Sequence, residues 1–370
     1  MTRTPDLCER LVARMAKGFS RRLRHRRDED RFGPSRGRTL RSRAKDLLWD
    51  AVFSGEARGE EQRVLAALES VAPFLPGLEA LHGRLEDERS RDRLGDVLAH
   101  RVLGPERGPA LPDPEAYWEQ RERARKTRQG TSRLEAGFMD WSLERYDLGP
   151  LGYPISLYAR ASTVHHIFMR EQYRYAGAGG VQVDDGDHVI DAGSGWGDAS
   201  LYFAFRAGPA GRVAAFEFLP GNLRVLARNR ELNPDLAARI DVVERPLWST
   251  TGVSMAFRDR GPATVVRPGP MEDADGVASS LTLDDFVAGS GMPRVDFIKM
   301  DVEGAELEAL HGARHVLAAH RPKLAISVYH DIGHFTAIPE LIDSLGLGYV
   351  FFLDHFTTHA EETVLFARCR

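Results

Sequence analysis

The sequence predicts an α/β fold: a seven-stranded, largely parallel sheet with an antiparallel last strand, preceded by a helical N-terminal region. Three observations predict it. From residue 187 onward, short β-branched runs alternate with helical stretches, the pattern of a parallel sheet covered on both faces. The first of these runs empties into a glycine-rich turn, Gly193-Ser194-Gly195-Trp196-Gly197. The last two are joined by a short turn-rich link with no room for a crossover helix, which makes them antiparallel.

The elements follow in order. Residues 1–45 hold 15 Lys/Arg against 5 Asp/Glu, densest at Arg21-Arg22-Leu23-Arg24-His25-Arg26-Arg27. They read as a basic, solvated, flexible tail. A nucleic-acid contact is the other reading, but no aromatic interleaves with the run to stack bases. Residues 46–126 read as helical. Leu47, Leu48 and Val52, then Val64, Leu65, Leu68, Val71 and Leu75, then Leu94, Val97, Leu98 and Val102 keep helical spacing. Pro73, Pro76 and residues 104–114 punctuate them. The domains divide as a helical one over 46–145 and the α/β one over 146–370. Between them, 130–180 is an aromatic connector with Phe138, Trp141, Tyr146, Tyr153, Tyr158, Phe168, Tyr173 and Tyr175. It packs on a neighbour or lines a substrate pocket. The seven strand runs are 188–191, 212–218, 240–244, 295–300, 324–329, 349–353 and 363–367, with helices at 199–207 and 222–232. The Gly-, Pro- and Asp-rich stretch 252–278 is a candidate lid.

Totals set the bounds. The chain has 370 residues, and domains run to about 100–200. Its 42% hydrophobic and 28% charged residues fit a globular protein. A net charge of −4 creates no global field toward nucleic acid or membrane. Two cysteines, Cys8 and Cys369, argue against a disulfide framework and for a cytoplasmic setting. No uninterrupted apolar run of about 18 residues and no signal-peptide core is present, so no membrane contact is expected.

The stretch Val189-Ile190-Asp191-Ala192-Gly193-Ser194-Gly195-Trp196-Gly197-Asp198 carries the cofactor argument. Its glycines let the backbone turn sharply and approach a ligand. The spacing is G-x-G-x-G, and Asp198 stands where a dinucleotide fingerprint has Gly or Ala. A carboxylate there repels pyrophosphate but suits the amino group and sulfonium of S-adenosylmethionine (SAM). Asp191 and Asp198 are therefore expected near the methionyl part, with Gly193, Ser194, Gly195 and Gly197 forming the turn. Glu217 ends the second run, 26 residues after Asp191, where a carboxylate accepts both ribose hydroxyls. Phe218 and Trp248 are candidates for adenine contact or for packing. Seven strands with an antiparallel final pair, with these residues, make the class I SAM-methyltransferase (Rossmann-like) sheet the expected architecture.

The chemistry is expected where ligands of open α/β sheets bind, beyond the carboxyl ends of the strands. Asp301 and Glu303 follow one strand, His330 another and His355 a third. A histidine titrates near neutrality, so His330 is the preferred base for a hydroxyl proton, with Asp301 or Glu303 orienting the acceptor. Lys299 projects to either face of its strand. Glu306 reads as a first-turn helix acid favoured by the macrodipole and is left out. No spacing here is that of a tight metal site, so no metal is expected.

Three groups of residues carry a resemblance: 189–198, then Phe216-Glu217-Phe218 with Pro220 and Asn222, then 298–310 ending in Gly312-Ala313, continuing through Tyr329-His330 to Glu362-Thr363-Val364-Leu365. Together they resemble the FkbM family of methyltransferases over about residues 145–370. A longer subgroup has a segment similar to Glu171-Gln172-Tyr173-Arg174-Tyr175 before the first strand. Family sequences often show Cys before the Trp of the turn, where this chain has Ser194-Gly195-Trp196. The resemblance implies SAM as cofactor and O-methylation of a small hydroxylated acceptor, typically a sugar or a polyketide-like natural product. Apart from it, the helical N-terminal part leaves three roles open: substrate selection, a homodimer interface or partner docking. Two other functions remain: a non-catalytic SAM-binding partner protein, and an RNA methyltransferase using the basic arm. The latter lacks a base-flipping Asn-Pro-Pro-Tyr motif.

Overall fold

The structure, a computed structural model, describes residues 6–19, 56–136, 141–177, 179–259 and 264–370. Thirteen strands are described: β1 Arg128–Glu135, β2 Ser142–Asp147, β3 Ser156–Ala159, β4 His188–Ala192, β5 Arg212–Phe216, β6 Ile240–Val243, β7 Ser254–Arg258, β8 Val265–Pro268, β9 Gly276–Ser279, β10 Phe297–Met300, β11 Lys323–Ser327, β12 Tyr349–His355 and β13 Thr363–Cys369. The seven expected runs are β4, β5, β6 and β10 to β13. They form one sheet in the order β12-β13-β11-β10-β4-β5-β6. β13 inserts between β11 and β12, antiparallel to both; the remaining pairs are parallel. This is the expected seven-stranded architecture.

Alternation along each strand divides the core in two. Ile190, Ala192, Ala214, Phe216, Ile298 and Met300 face one layer. Val189, Val213, Ala215 and Phe297 face the other, which includes the connector aromatics Tyr146, Phe168, Tyr173 and Tyr175. Helices α6 Asp198–Arg206 and α7 Pro220–Glu231 follow β4 and β5. α8 Leu283–Ser290, α9 Glu306–His311, α10 Arg314–His320 and α11 His334–Ser344 cover the rest.

The N-terminal helices are α1 Leu7–Phe19, α2 Glu56–Val71, α3 Leu75–Arg84, α4 Glu88–Arg107 and α5 Pro114–Lys126. They share a continuous apolar core with the sheet rather than forming one of their own: Leu78, Leu81, Leu94 and Leu98 join Phe351 and Leu353. Two hydrogen bonds reinforce the junction: Glu86 N–H donates to Phe351 O at 2.9 Å, and Leu353 N–H to the Ser90 side-chain Oγ at 3.0 Å. The stretch Gln62–Arg84 has the length and composition of a membrane span, but Pro73 and Pro76 break it, and Val64, Val71, Leu78 and Leu81 enter this core.

Two expectations are corrected. Residues 7–19 are not tail: Leu7 is fully buried, and Arg10 and Arg14 pair with Asp92 of α4 (Arg10 at 2.5 Å, Arg14 at 3.0 Å). Residues 1–5 and 20–45, with Leu47, Leu48, Val52 and Phe138, lie outside the described residues. The 145/146 boundary falls inside β2. The connector packs into the second core layer as expected, and beyond that expectation β1, β2 and β3 make an antiparallel sheet. The candidate lid holds another, in the order β8-β7-β9.

Asn229 of α7 clamps the first small sheet to the main fold. Fully buried, it accepts from Tyr158 N–H at 2.6 Å and donates to Tyr158 O and Trp196 O at 3.1 and 2.9 Å. Asn229→Ala strands these groups and is expected to cost about 2–3 kcal/mol. A denaturant midpoint matching wild type would show that β3 is held by something else.

Candidate active site

The carboxyl ends of β4, β5 and β10 open on a pocket of about 260 Å³. The glycine turn is its floor. Gly193 has φ 78°, and a Cβ there would lie 1.9 Å from Asp301 O, so only glycine lets the β4 and β10 extensions come this close. Gly193 and Ser194 N–H both donate to Phe216 O, at 3.1 and 2.9 Å. Gly195 has φ 53° and its Cβ direction is open. Gly193, Ser194, Gly195 and Trp196 line the pocket. Gly197 does not; with φ 81° it is the N-cap of α6 and sets how that helix leaves the turn.

Asp191 is placed differently from expectation. It is fully buried and does not line the pocket. Its Oδ1 lies 3.1 Å from Lys299 Nζ, and its Oδ2 accepts from Ser200 Oγ at 2.5 Å. The cause is register: Lys299 of β10 is the cross-strand partner of Asp191 in β4, so both side chains share a sheet face. Lys299 also donates to Ala192 O at 3.1 Å and Gly193 O at 2.5 Å. Burial works to lower its pKa, but Asp191, Asp301 and Asp198 outweigh burial and hold it above the usual lysine value. Asp191 thus acts on the turn through Lys299, which faces the pocket.

Asp198, Glu217, Phe218 and Trp248 all line the pocket. Glu217 stands one residue beyond β5. Its Oε1 accepts from Phe218 and Leu219 N–H at 2.7 and 2.8 Å, and Oε2 from Asn222 Nδ2 at 3.0 Å. Burial pushes both Asp198 and Glu217 up to about 6. Phe218 meets Phe257 of β7 edge-on at 5.4 Å, and Val266 of β8, with Thr264 just before that strand, reaches the pocket. The candidate lid thus lies against the Phe218 end.

At the other end Asp301 and Glu303 face the pocket. Asp301 accepts from Tyr173 OH at 2.9 Å and from Tyr329 OH at 3.4 Å. Tyr173, Trp141 and Thr163 bring the connector into the pocket wall. His330 does not line the pocket, but its Nε2 lies 3.3 Å from Glu303 and 3.7 Å from Asp301, and its Nδ1 lies 3.0 Å from Glu306. Burial opposes its charge, yet Glu303 and Glu306 prevail and push it up to about 11. Both ring nitrogens face carboxylates and the ring does not line the pocket, so this arrangement offers His330 no direct path to an acceptor hydroxyl. His355 is also corrected. It is fully buried, bonded to Thr363 Oγ1 at 2.8 Å and held well below its usual pKa by burial and Arg93. It is a neutral core residue outside the site.

Two carboxylates were undervalued. Glu306 is fully buried and accepts from Val302 N–H at 2.9 Å. Burial alone would raise its pKa, but His330 and His334 hold it well below the usual range. Glu362 accepts from Gln172 Nε2, and burial and Asp301 push it up to about 8. Glu303 and Glu362 both take left-handed backbone, at φ 54° and 70°, a strain that gathers at functional sites. Their signal in the sequence was only a helix-start pattern and a tail motif.

The pocket suits a cationic nucleoside ligand without phosphate. Four carboxylates line it (Asp198, Glu217, Asp301 and Glu303) against two cations: Lys299, paired with Asp191, and Arg245, which donates to Ser279 O and Ser280 O. The buried Ser194 Oγ makes no hydrogen bond among the described residues, leaving a polar atom for a ligand.

Residues 183–351 match the family model described as the methyltransferase FkbM domain. Among solved structures, the chain is similar to methyltransferase FkbM from Methylobacillus flagellatus KT, with 22% identity over 80% of this chain and 59% of that one, at a TM-score of 0.51. That likeness shows the shared fold, and this chain spans less than two thirds of that protein. Fibrillarin from Aeropyrum pernix, in complex with natively bound SAM, matches at 14% identity over 50% of this chain and 67% of that one, with a TM-score of 0.33. A SAM-dependent O-methyltransferase from Thermotoga maritima matches at 16% over 50% and 60%, with a TM-score of 0.32. A comparison with curated proteins gives no match.

Proposed function

We propose that this chain, which carries a methyltransferase FkbM domain over residues 183–351, transfers the methyl group of SAM to a hydroxyl oxygen of a small molecule, a sugar or a natural product. The observation that carries the reading is Glu217. It is fixed by three donors at the end of β5 and shares one pocket with the open glycine turn and with Asp198. When bound, SAM supplies an electrophilic methyl on a sulfonium.

Glu217 takes the ribose hydroxyls, and Asp198 the methionyl amino group. Phe218 and Trp248 flank the adenine. Gly193, Ser194 and Gly195 offer backbone to the ligand. Asp301 and Glu303, with Tyr173 steadying Asp301, orient the acceptor at the opposite end, and one of these two carboxylates takes the hydroxyl proton as the methyl–sulfur bond breaks and S-adenosylhomocysteine leaves. Holding the reacting atoms in near-attack geometry supplies most of the acceleration. With Cys8 and Cys369 as free thiols, a cytoplasmic setting is part of the same proposal.

The test is calorimetric titration with SAM, followed by label transfer from methyl-labelled SAM to a panel of hydroxylated sugars and polyketides. Binding with transfer to a hydroxyl supports the reading. A folded protein that ignores SAM sinks it. Binding without transfer to any compound favours a SAM-binding partner protein.

A pH dependence follows from Asp198 and Glu217. Both carboxyls sit at about 6 because burial disfavours their charge. A cationic, hydroxyl-rich ligand needs them ionised, so affinity is full above pH 7 and falls as pH drops through 6. At about pH 5 each is about 90% protonated, which weakens binding about tenfold per carboxyl. Calorimetry at about pH 7.5 and pH 5 checks this; equal affinities would remove both carboxyls from the binding step.

A further inference from the structure

The methionyl end of SAM carries a carboxylate beside its amino group, and that carboxylate needs a cation. The four acids of the pocket wall repel it. Of the cations there, Lys299 is paired with Asp191, and Arg245 donates to Ser279 O and Ser280 O. A third cation stands beside the wall. The Arg160 guanidinium lies over the Trp141 ring, 3.9 Å from its centre. Trp141 lines the pocket, and so does Thr163, three residues after Arg160.

Two contacts hold Arg160 near the glycine turn. It directly follows β3, and Asn229 ties β3 to the turn by bonding both Tyr158 and Trp196 O. Trp141 and Trp196 pack against one small apolar cluster of Ala136, Leu143, Tyr158 and Val225. The turn leads into Asp198, the residue assigned to the methionyl amino group, so Arg160 stands on the side where the carboxylate lies.

Arg160 has no anion of its own. It is half-buried, and neither it nor its neighbour Arg121 meets a carboxylate among the described residues. Burial lowers the pKa of both, and the charge of Arg121 lowers that of Arg160 further. The Nε of Arg121 is buried and makes no hydrogen bond among the described residues. Two neighbouring cations drawn partly out of water disfavour each other, and an anion beside them relieves both. Stacking on Trp141 uses the flat face of the Arg160 guanidinium and leaves its N–H edge for the fork of a carboxylate.

We propose that Arg160 binds the α-carboxylate of SAM, with Arg121 adding its positive field. The inference rests on the SAM reading of the pocket. Arg160 lies outside the matched residues 183–351, so the connector completes a cofactor site that the matched domain leaves one cation short.

The test is calorimetric titration of the full-length protein with SAM and with decarboxylated SAM, which lacks only this carboxylate. Wild type is expected to bind SAM about 10- to 100-fold more tightly than the decarboxylated form. Arg160→Gln should erase that margin: its SAM affinity falls by the same factor, its affinity for decarboxylated SAM holds, and Arg160→Lys recovers part of the loss. Equal affinities for the two compounds in wild type overturn the proposal, and this comparison stands even where a variant fails to fold. An unchanged SAM affinity in Arg160→Gln overturns it too, as does an equal loss for both compounds. An acidic acceptor offers the same chemistry, so glucuronate and glucose are titrated onto the protein loaded with S-adenosylhomocysteine. No preference for glucuronate is expected; a preference that Arg160→Gln abolishes assigns the arginine to the acceptor and overturns the proposal. SAM binding that ignores Arg160 leaves the SAM reading standing, whereas a wild-type protein that binds neither compound takes down both.

Discussion

Lys299→Met is expected to destabilise the protein by about 3–5 kcal/mol, because it leaves Asp191 as a buried charge with no cation. Asp191 is fully buried, and beyond Lys299 the structure gives it Ser200 Oγ. The substitution keeps most of the side-chain volume, so little of the loss comes from a cavity. It also frees Ala192 O and Gly193 O from the ammonium, which loosens the glycine turn. Against a typical total stability of about 5–15 kcal/mol, the effect is plain in a urea midpoint. The double variant Lys299→Met, Asp191→Asn removes both charges and is expected to recover most of the loss, since replacing a buried pair is far milder than breaking it. If the single variant denatured like wild type, the pair would not be what holds the turn. If the double variant fared as badly as the single one, the turn contacts, and not the stranded charge, would carry the energy.

That ion pair shows where sequence reading reached and where it stopped. Each strand run was legible by itself because a buried parallel strand is a short apolar run. The pairing of two acts across strands was not, because it depends on register. Asp191 read as a ligand since it precedes a glycine turn; only the alignment of β4 with β10 puts Lys299 beside it. The strand-end rule failed at His355 for a related reason. β12 is at the sheet edge, and Thr363 of β13 sits opposite His355 and takes its ring nitrogen. The β1–β3 sheet was hidden because exposed residues fill β1, so no apolar alternation marks it. Glu306 was misjudged because an acid at a helix start has a sufficient local explanation. Its burial, and its pairing with His330 and His334, are tertiary facts. By contrast Gly193, Gly195, Asp198 and Glu217 were visible together, since the turn and the end of the next strand are adjacent in any such sheet, and the structure brings all four to one pocket.

Glu217→Ala is expected to remove detectable SAM binding. A carboxylate accepting from two ribose hydroxyls makes charge-assisted bonds of about 1.5–3 kcal/mol each. Losing both weakens binding about a hundredfold or more. The substitution has a structural cost too, because Phe218 and Leu219 N–H lose their acceptor. That cost is offset in part: burial already opposes the charge of Glu217, so removing the carboxylate also removes a desolvation penalty. The unliganded melting temperature should therefore fall only slightly, while the response to ligand changes sharply. Wild-type protein with SAM at about one hundred times its Kd gains about 2.7 kcal/mol, and its melting temperature rises. Glu217→Ala should show no rise at the same concentration. Glu217→Gln, which keeps one acceptor oxygen, should fall between them. A rise in Glu217→Ala equal to that of wild type would mean that the ligand binds elsewhere, and the placement of the ribose at the end of β5 would fall with it.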